Sequence, residues 1–184
     1  MTTYRRPTRE EQLAAYGRTL PDLVAPGLRV LLCGINPGLM STAIGHHFGN
    51  PANRLWPVLH LAGFTPRRLH PMESEELLTY GVGITNLVAR ATATAAELTA
   101  AEIRAGVAPL TALVEHIAPA YVAFLGLTSY RTAFGRKDAV VGEQPETLGP
   151  ARIWLLPNTS GLNAHYQLPQ LAAAFRELRE AAFP

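Results

Sequence analysis

Four short apolar runs alternate with segments of helical spacing, and this alternation limits the fold more than any other feature. The runs are Leu28–Cys33, Val82–Val88, Tyr121–Leu125 and Ile153–Leu156. The first is continuously apolar and rich in aliphatic and β-branched residues, so it reads as a strand buried on both faces. Between the runs lie predicted helices. Thr8-Arg9-Glu10-Glu11 is a capping box that opens a helix through about Arg18, ended by Pro21 and the Ala25-Pro26-Gly27 turn. A second helix begins at Pro51-Ala52-Asn53 and carries Leu55, Trp56, Leu59 and Leu61. Glu73–Tyr80, Ser129–Phe134 and Pro169–Phe183 are further helices. Ala95–Ile117 shows one long apolar face, with a kink expected at Pro109. Residues 34–49 read as one long glycine-rich loop, and 135–150 as a loop or an edge hairpin. Strands alternating with helices predict an α/β three-layer sandwich: a mostly parallel central sheet with helices on both faces. The 184 residues suffice for one domain, expected over 21–184, with residues 1–20 as a helical appendage.

Composition narrows the function. A hydrophobic fraction of 48% and a charged fraction of 16% are those of a globular chain with a real core. A net charge of +2 permits binding to a polyanion without demonstrating it. Cys33 is the single cysteine, which excludes an internal disulfide and a cysteine-built metal cluster. Its place in the first apolar run predicts a buried, unreactive thiol. No stretch approaches the roughly 20 apolar residues of a membrane span, and the first residues are polar and charged. A soluble cytoplasmic protein without a membrane partner is expected.

In open α/β sheets ligands bind beyond the carboxyl ends of the strands. Two such loops stand out. One reads Gly34-Ile35-Asn36-Pro37-Gly38-Leu39-Met40, the other Leu156-Pro157-Asn158-Thr159-Ser160-Gly161-Leu162-Asn163. On residue chemistry alone Asn36 fits a turn after a strand as well as a catalytic role. Phe48 fits the core or a pocket wall, and Leu162, between Gly161 and Asn163, is a poor core candidate. Asn53 and Arg54 read as holding the loop to the following helix. Arg67 and Arg68 read as solvated, and His47 as a substrate contact or a solvated loop residue. Adjacent His46 and His47 lack a third ligand, so no metal site is expected. Ser160 with His165 lacks an acid and a nucleophile elbow. The phosphate-binding and dinucleotide-binding glycine loops are both missing, although a non-catalytic nucleotide-binding α/β protein remains an alternative.

Gly-Ile-Asn-Pro-Gly at 34–38, Gly45-His46-His47-Phe48 and Pro51-Ala52-Asn53-Arg54-Leu55-Trp56 together resemble the mismatch-specific uracil-DNA glycosylases. The Gly-His-His-Phe stretch also resembles the thymine-DNA glycosylases, and the final loop is similar to the family's Asn-Pro-Ser-Gly-Leu motif. The resemblance runs from about Pro21 to the C-terminus. It implies the uracil-DNA glycosylase-like fold and a monomeric, cofactor-free enzyme. Such an enzyme hydrolyses the glycosidic bond of uracil, thymine or damaged cytosine opposite guanine in double-stranded DNA, leaving an abasic site. An enzyme of this family without mismatch preference is the nearest alternative. The resemblance makes Asn36 the residue that orients the hydrolytic water and Phe48 the platform on which the flipped base stacks. Main-chain N–H groups near Ile35 and Phe48 would stabilise the departing base anion. His47 and Asn86 would contact the base, and Asn158 would line the pocket or hold a phosphate. Leu162 would fill the hole left in the duplex, with Ser160, Gly161 and Asn163 beside it on the DNA. The sequence departs from the family at Thr159, where proline is usual, and at Ala164, where arginine is usual. A less rigid final loop and one missing DNA contact are expected from these changes.

Overall fold

A computed structural model describes residues 5–184, so the first four residues of the N-terminal segment lie outside it. The sheet has five strands in the order β2-β1-β3-β5-β4. They are β1 (Val30–Gly34), β2 (Val82–Asn86), β3 (Tyr121–Leu125), β4 (Gly142–Leu148) and β5 (Ala151–Leu156). β1 pairs in parallel with both β2 and β3, and β3 with β5. Only β4 is antiparallel, pairing with β5, so the edge hairpin rather than the plain loop is what residues 135–150 contain. The α/β three-layer expectation is met.

Side chains alternate across the sheet and make a core on each face. On one face Val30, Leu32, Val82, Ile84, Ala123 and Leu156 pack against α3 (Leu55–Leu61) and α7 (Leu168–Ala182). On the other, Leu31, Cys33, Val122, Phe124 and Leu155 pack against α5 (Val107–Ile117) and α6 (Leu127–Phe134). Both faces of β1, β3 and β5 are thus covered, which is why these strands lack polar alternation. Cys33 is buried, and that burial pushes its thiol far above the ordinary cysteine range, as expected of an inert thiol.

Three helical expectations need correction. Residues 34–49 are not all loop: α2 (Leu39–Ile44) lies inside them, ended by a left-handed Gly45. It is a single short helix flanked by glycines, so no periodic stripe announces it. Residues 51–53 form a turn, and α3 starts only at Leu55. The long helix over 95–117 is instead a 3-10 turn (Ala95–Glu97), α4 (Ala100–Ala105) and α5. It breaks at Gly106, not Pro109. A β-carbon on Gly106 would lie 2.1 Å from the Leu87 carbonyl oxygen, so the chain here touches the segment after β2 too closely for a side chain. Pro109 falls in the first turn of α5, where the missing N–H is not required.

The helix α1 (Arg9–Ala14) has the predicted Thr8–Glu11 capping box. Beyond it the chain pairs with the segment that follows β2: Gly17 N–H donates to Ala91 O, Ala91 N–H donates to Arg18 O, and Thr19 bridges Arg90.

Candidate active site

The carboxyl ends of the parallel strands open onto a cavity of about 210 Å³. Gly34 closes β1 and Ile35–Gly38 follow it, Asn86 closes β2, Leu125 closes β3, and Asn158 and Ser160 follow β5; all of them line it. The sheet order changes direction at β1, the position where such sheets bind ligands. A larger groove of about 970 Å³ adjoins the cavity, and Ile35, Asn53, Asn158 and Ser160 line both.

Asn36 is half-buried, and its side-chain amide is fixed by two acceptors. Its Nδ2 donates to Arg90 O at 3.0 Å and to Thr92 Oγ1 at 2.8 Å. A carbonyl can only accept, so the group facing Arg90 has to be the NH₂. The Thr92 hydroxyl gives its own proton to Thr94 O at 2.8 Å and so accepts from Asn36 as well. Both amide protons are committed. Oδ1 keeps its lone pairs, with no donor among the described residues. The anchoring segment is itself zipped to the first loop: Leu87 N–H donates to Gly34 O, Val88 N–H to Ile35 O and Thr92 N–H to Pro37 O. Thr92 and Arg90 escaped the sequence reading because they meet Asn36 only in three dimensions.

Phe48 is half-buried on the cavity wall with a left-handed backbone, φ +50°. A bulky residue rarely adopts that conformation, which costs about 1–3 kcal/mol and persists only where the surroundings enforce it. Trp56 Nε1 donates to Phe48 O at 3.1 Å, and Gly49 N–H donates to Ser41 Oγ at 2.9 Å. The cavity floor is Gly34. A β-carbon there would stand 2.6 Å from Asn86 Oδ1 and 3.2 Å from the Phe48 ring. The main-chain N–H groups of Ile35 and Phe48, both on cavity-lining residues, have no hydrogen-bond partner among the described residues.

His47 is buried, which removes the solvated alternative. Its Nε2 lies 2.8 Å from Pro21 O and must carry the proton, so Nδ1 is an acceptor toward Asn86 Nδ2 at 3.4 Å. Burial lowers its pKa, more than the Pro21 carbonyl and Asp22 raise it. Its ring nitrogens thus face protein, and through Asn86 it orients an amide on the cavity wall. The neutral form is favoured in the fold more than in the unfolded chain. This contribution to stability is therefore complete above the ordinary histidine value and is lost as pH falls through that value toward the lower folded one. Thermal stability should decline on acidification below about pH 6.5, and His47→Gln should flatten that part of the decline. An unchanged pH–stability slope in the variant would show that His47 does not carry it.

The final loop is held from one side by the turn before α3. Asn53 does hold the loop to the following helix, its Oδ1 accepting from Leu55 N–H at 2.9 Å, and with Arg54 it also holds this distant loop. Thr159 is fully buried, and its hydroxyl donates to Asn53 Oδ1 at 2.9 Å. A part-buried side-chain hydrogen bond thus ties the position where proline is usual to the turn before α3. Asn158 Oδ1 accepts from Ser160 N–H at 2.8 Å, and Asn163 Nδ2 donates to Asn158 O at 2.9 Å. Leu162 stands clear at 91% exposure, and Ala164 is exposed beside it. Among the arginines read as solvated, Arg67 is tied to Glu73 and Glu76, while Arg68 is exposed.

Among the described residues no group of three or more His, Cys, Asp and Glu is arranged to hold a metal ion. No helix among them is long and apolar enough to cross a membrane.

Residues 21–181 match the sequence family described as the uracil DNA glycosylase superfamily. The fold is similar to the solution NMR structure of a Methanosarcina acetivorans protein assigned provisionally as a uracil DNA glycosylase. That likeness has a TM-score of 0.59 and 17% sequence identity, over 89% of this chain and 98% of that one. The likeness concerns the fold; the family match spans almost the whole described chain and supports DNA glycosylase chemistry, a hydrolase acting on DNA. The chain belongs to the uracil DNA glycosylase superfamily.

Proposed function

We propose that this protein excises uracil mispaired with guanine in double-stranded DNA, by hydrolysis, leaving an abasic site. The observation that carries this reading is the Asn36 amide, locked by Arg90 O and Thr92, its oxygen without a donor among the described residues, in a small cavity walled by Phe48.

The flipped base stacks on Phe48, and Asn86 donates to its edge from the wall that His47 supports. Asn36 Oδ1 accepts a hydrogen bond from the attacking water and aims its oxygen at C1′. A neutral amide is too weak a base to remove the proton early, so its contribution is orientation. The glycosidic electron pair leaves with the base, and the Ile35 and Phe48 N–H groups donate to the resulting anion. Water supplies the hydroxyl that completes the abasic sugar, and the proton it gives up neutralises the departed base anion. Lys137, the sole lysine of the sequence, is exposed and lines neither cavity nor groove, which favours direct hydrolysis over an amine adduct. Leu162 enters the duplex where the base has left, with Ser160, Gly161 and Asn163 against the DNA and Asn158 at the pocket mouth. The protein acts as a cytoplasmic monomer on nucleoid DNA, with residues 21–184 as the glycosylase domain.

Base release from one sequence context tests the reading, using uracil opposite guanine, uracil opposite adenine, thymine opposite guanine and single-stranded uracil. Release is expected to be faster from the guanine–uracil duplex than from the adenine–uracil duplex, because a mispaired base costs less to extrude. Equal rates opposite adenine and guanine would leave a uracil glycosylase without mismatch preference, a result that the exposed alanine at position 164 would then help to explain. No release from any of these would overturn the reading.

A further inference from the structure

Arg54 is the unusual residue of the final loop. Its backbone N–H donates to Thr159 O at 3.0 Å. Its Nη1 donates to Tyr166 O at 2.6 Å, and its Nη2 to both Ser160 O at 2.6 Å and Asn163 O at 3.0 Å. All these acceptors are carbonyls. No carboxylate pairs with Arg54 among the described residues, and its Nε is buried without a partner. A surface arginine would take a carboxylate or water; this one is spent entirely on backbone.

The carbonyls it gathers have a pattern. Ser160 and Asn163 begin and end the tight turn that carries Leu162, which is closed by Asn163 N–H donating to Ser160 O at 3.0 Å. One guanidinium nitrogen therefore spans that turn from below, while Tyr166 O anchors the chain beyond it. The turn also rests on the residues just before Arg54. A β-carbon on Gly161 would lie 2.7 Å from Ala52 O, so the loop lies directly on the 51–54 turn. That turn leads into α3, whose Trp56 Nε1 holds Phe48 O. The base platform and the exposed leucine thus share one support.

Resting on the functional reading above, we propose that Arg54 is the positioning residue for Leu162. It holds the 160–163 turn at the angle that lets the leucine enter the base stack, and so governs extraction of the base from the duplex rather than bond cleavage. Lysine cannot replace it, because a single ammonium does not reproduce the planar fan of donors that spans these carbonyls.

The test compares wild type, Arg54→Lys and Leu162→Ala, with single-turnover release from a guanine–uracil duplex and from single-stranded uracil. Amide exchange over 160–163 is measured in parallel, with thermal unfolding as the check on folding. Arg54→Lys should slow release from duplex by about tenfold, the scale of one lost charged hydrogen bond. It should leave single-stranded release within about twofold, match the pattern of Leu162→Ala, and speed exchange at Asn163. Equal loss on both substrates, or no loss on duplex, would overturn the proposal. Unchanged exchange at Asn163 would overturn it even if activity fell. A wild-type protein that releases uracil from neither substrate would instead refute the functional reading, while the exchange measurement still reports whether Arg54 fixes the turn.

Discussion

Asn36→Ala is expected to lower the single-turnover rate of uracil release by about 10³, well within what positioning a reactant contributes to a rate. The fold should survive. The substitution removes two hydrogen bonds, to Arg90 O and Thr92 Oγ1, which together cost about 2 kcal/mol, or a fall of about 4–8 °C in Tm for a chain of this size. Thr92 keeps its bond to Thr94 O, and the main-chain zipper between the two loops does not involve the Asn36 side chain. Activity and stability should therefore part company. Abasic-site formation scored by alkaline cleavage, beside thermal unfolding, measures both. A variant that retains more than a third of the wild-type rate would remove Asn36 from the mechanism.

The second large effect is expected at a residue with no side chain. Gly34→Val should reduce base release at least about 100-fold, the loss that about an ångström of misplacement can produce. The first new carbon would already stand 2.6 Å from Asn86 Oδ1 and 3.2 Å from the Phe48 ring, and the remaining methyl groups would fill the cavity floor. Both neighbours must move, and both are assigned to the base. Gly34 ends a buried strand, where valine is otherwise favoured, so the damage should fall on the site more than on the sheet. Tm and base release again separate the two outcomes. Near-normal release from the valine variant would mean that the base does not bind against Gly34.

The fold was legible wherever burial shaped the sequence. β1 and β3 are apolar without alternation because helices cover both of their faces, and that composition survives without the structure. The break at Gly106 was not legible, since its cause is the Leu87 carbonyl pressed against it from another part of the chain. In the site, the placement of Asn36, Asn86 and Asn158 around one cavity follows from strand ends, whereas Phe48, beyond α2, was pointed to by the family resemblance and not by its place in the sheet. The direction of the Asn36 amide does not, because it depends on Arg90 and Thr92, 54 and 56 residues further on. Thr159 taught the opposite lesson. As a sequence change it suggested a looser loop, yet its hydroxyl found Asn53 and tied the loop there by another bond.

Leu162, left in water at 91% exposure, also has a thermodynamic consequence. Burying a leucine side chain is worth about 1.5–3 kcal/mol, and unstacking a base costs a few kcal/mol. On the proposed function, the free protein holds that hydrophobic free energy in reserve and releases it only when the side chain enters the duplex, where it offsets much of the extrusion. The driving force is then largely entropic near room temperature and weakens on cooling.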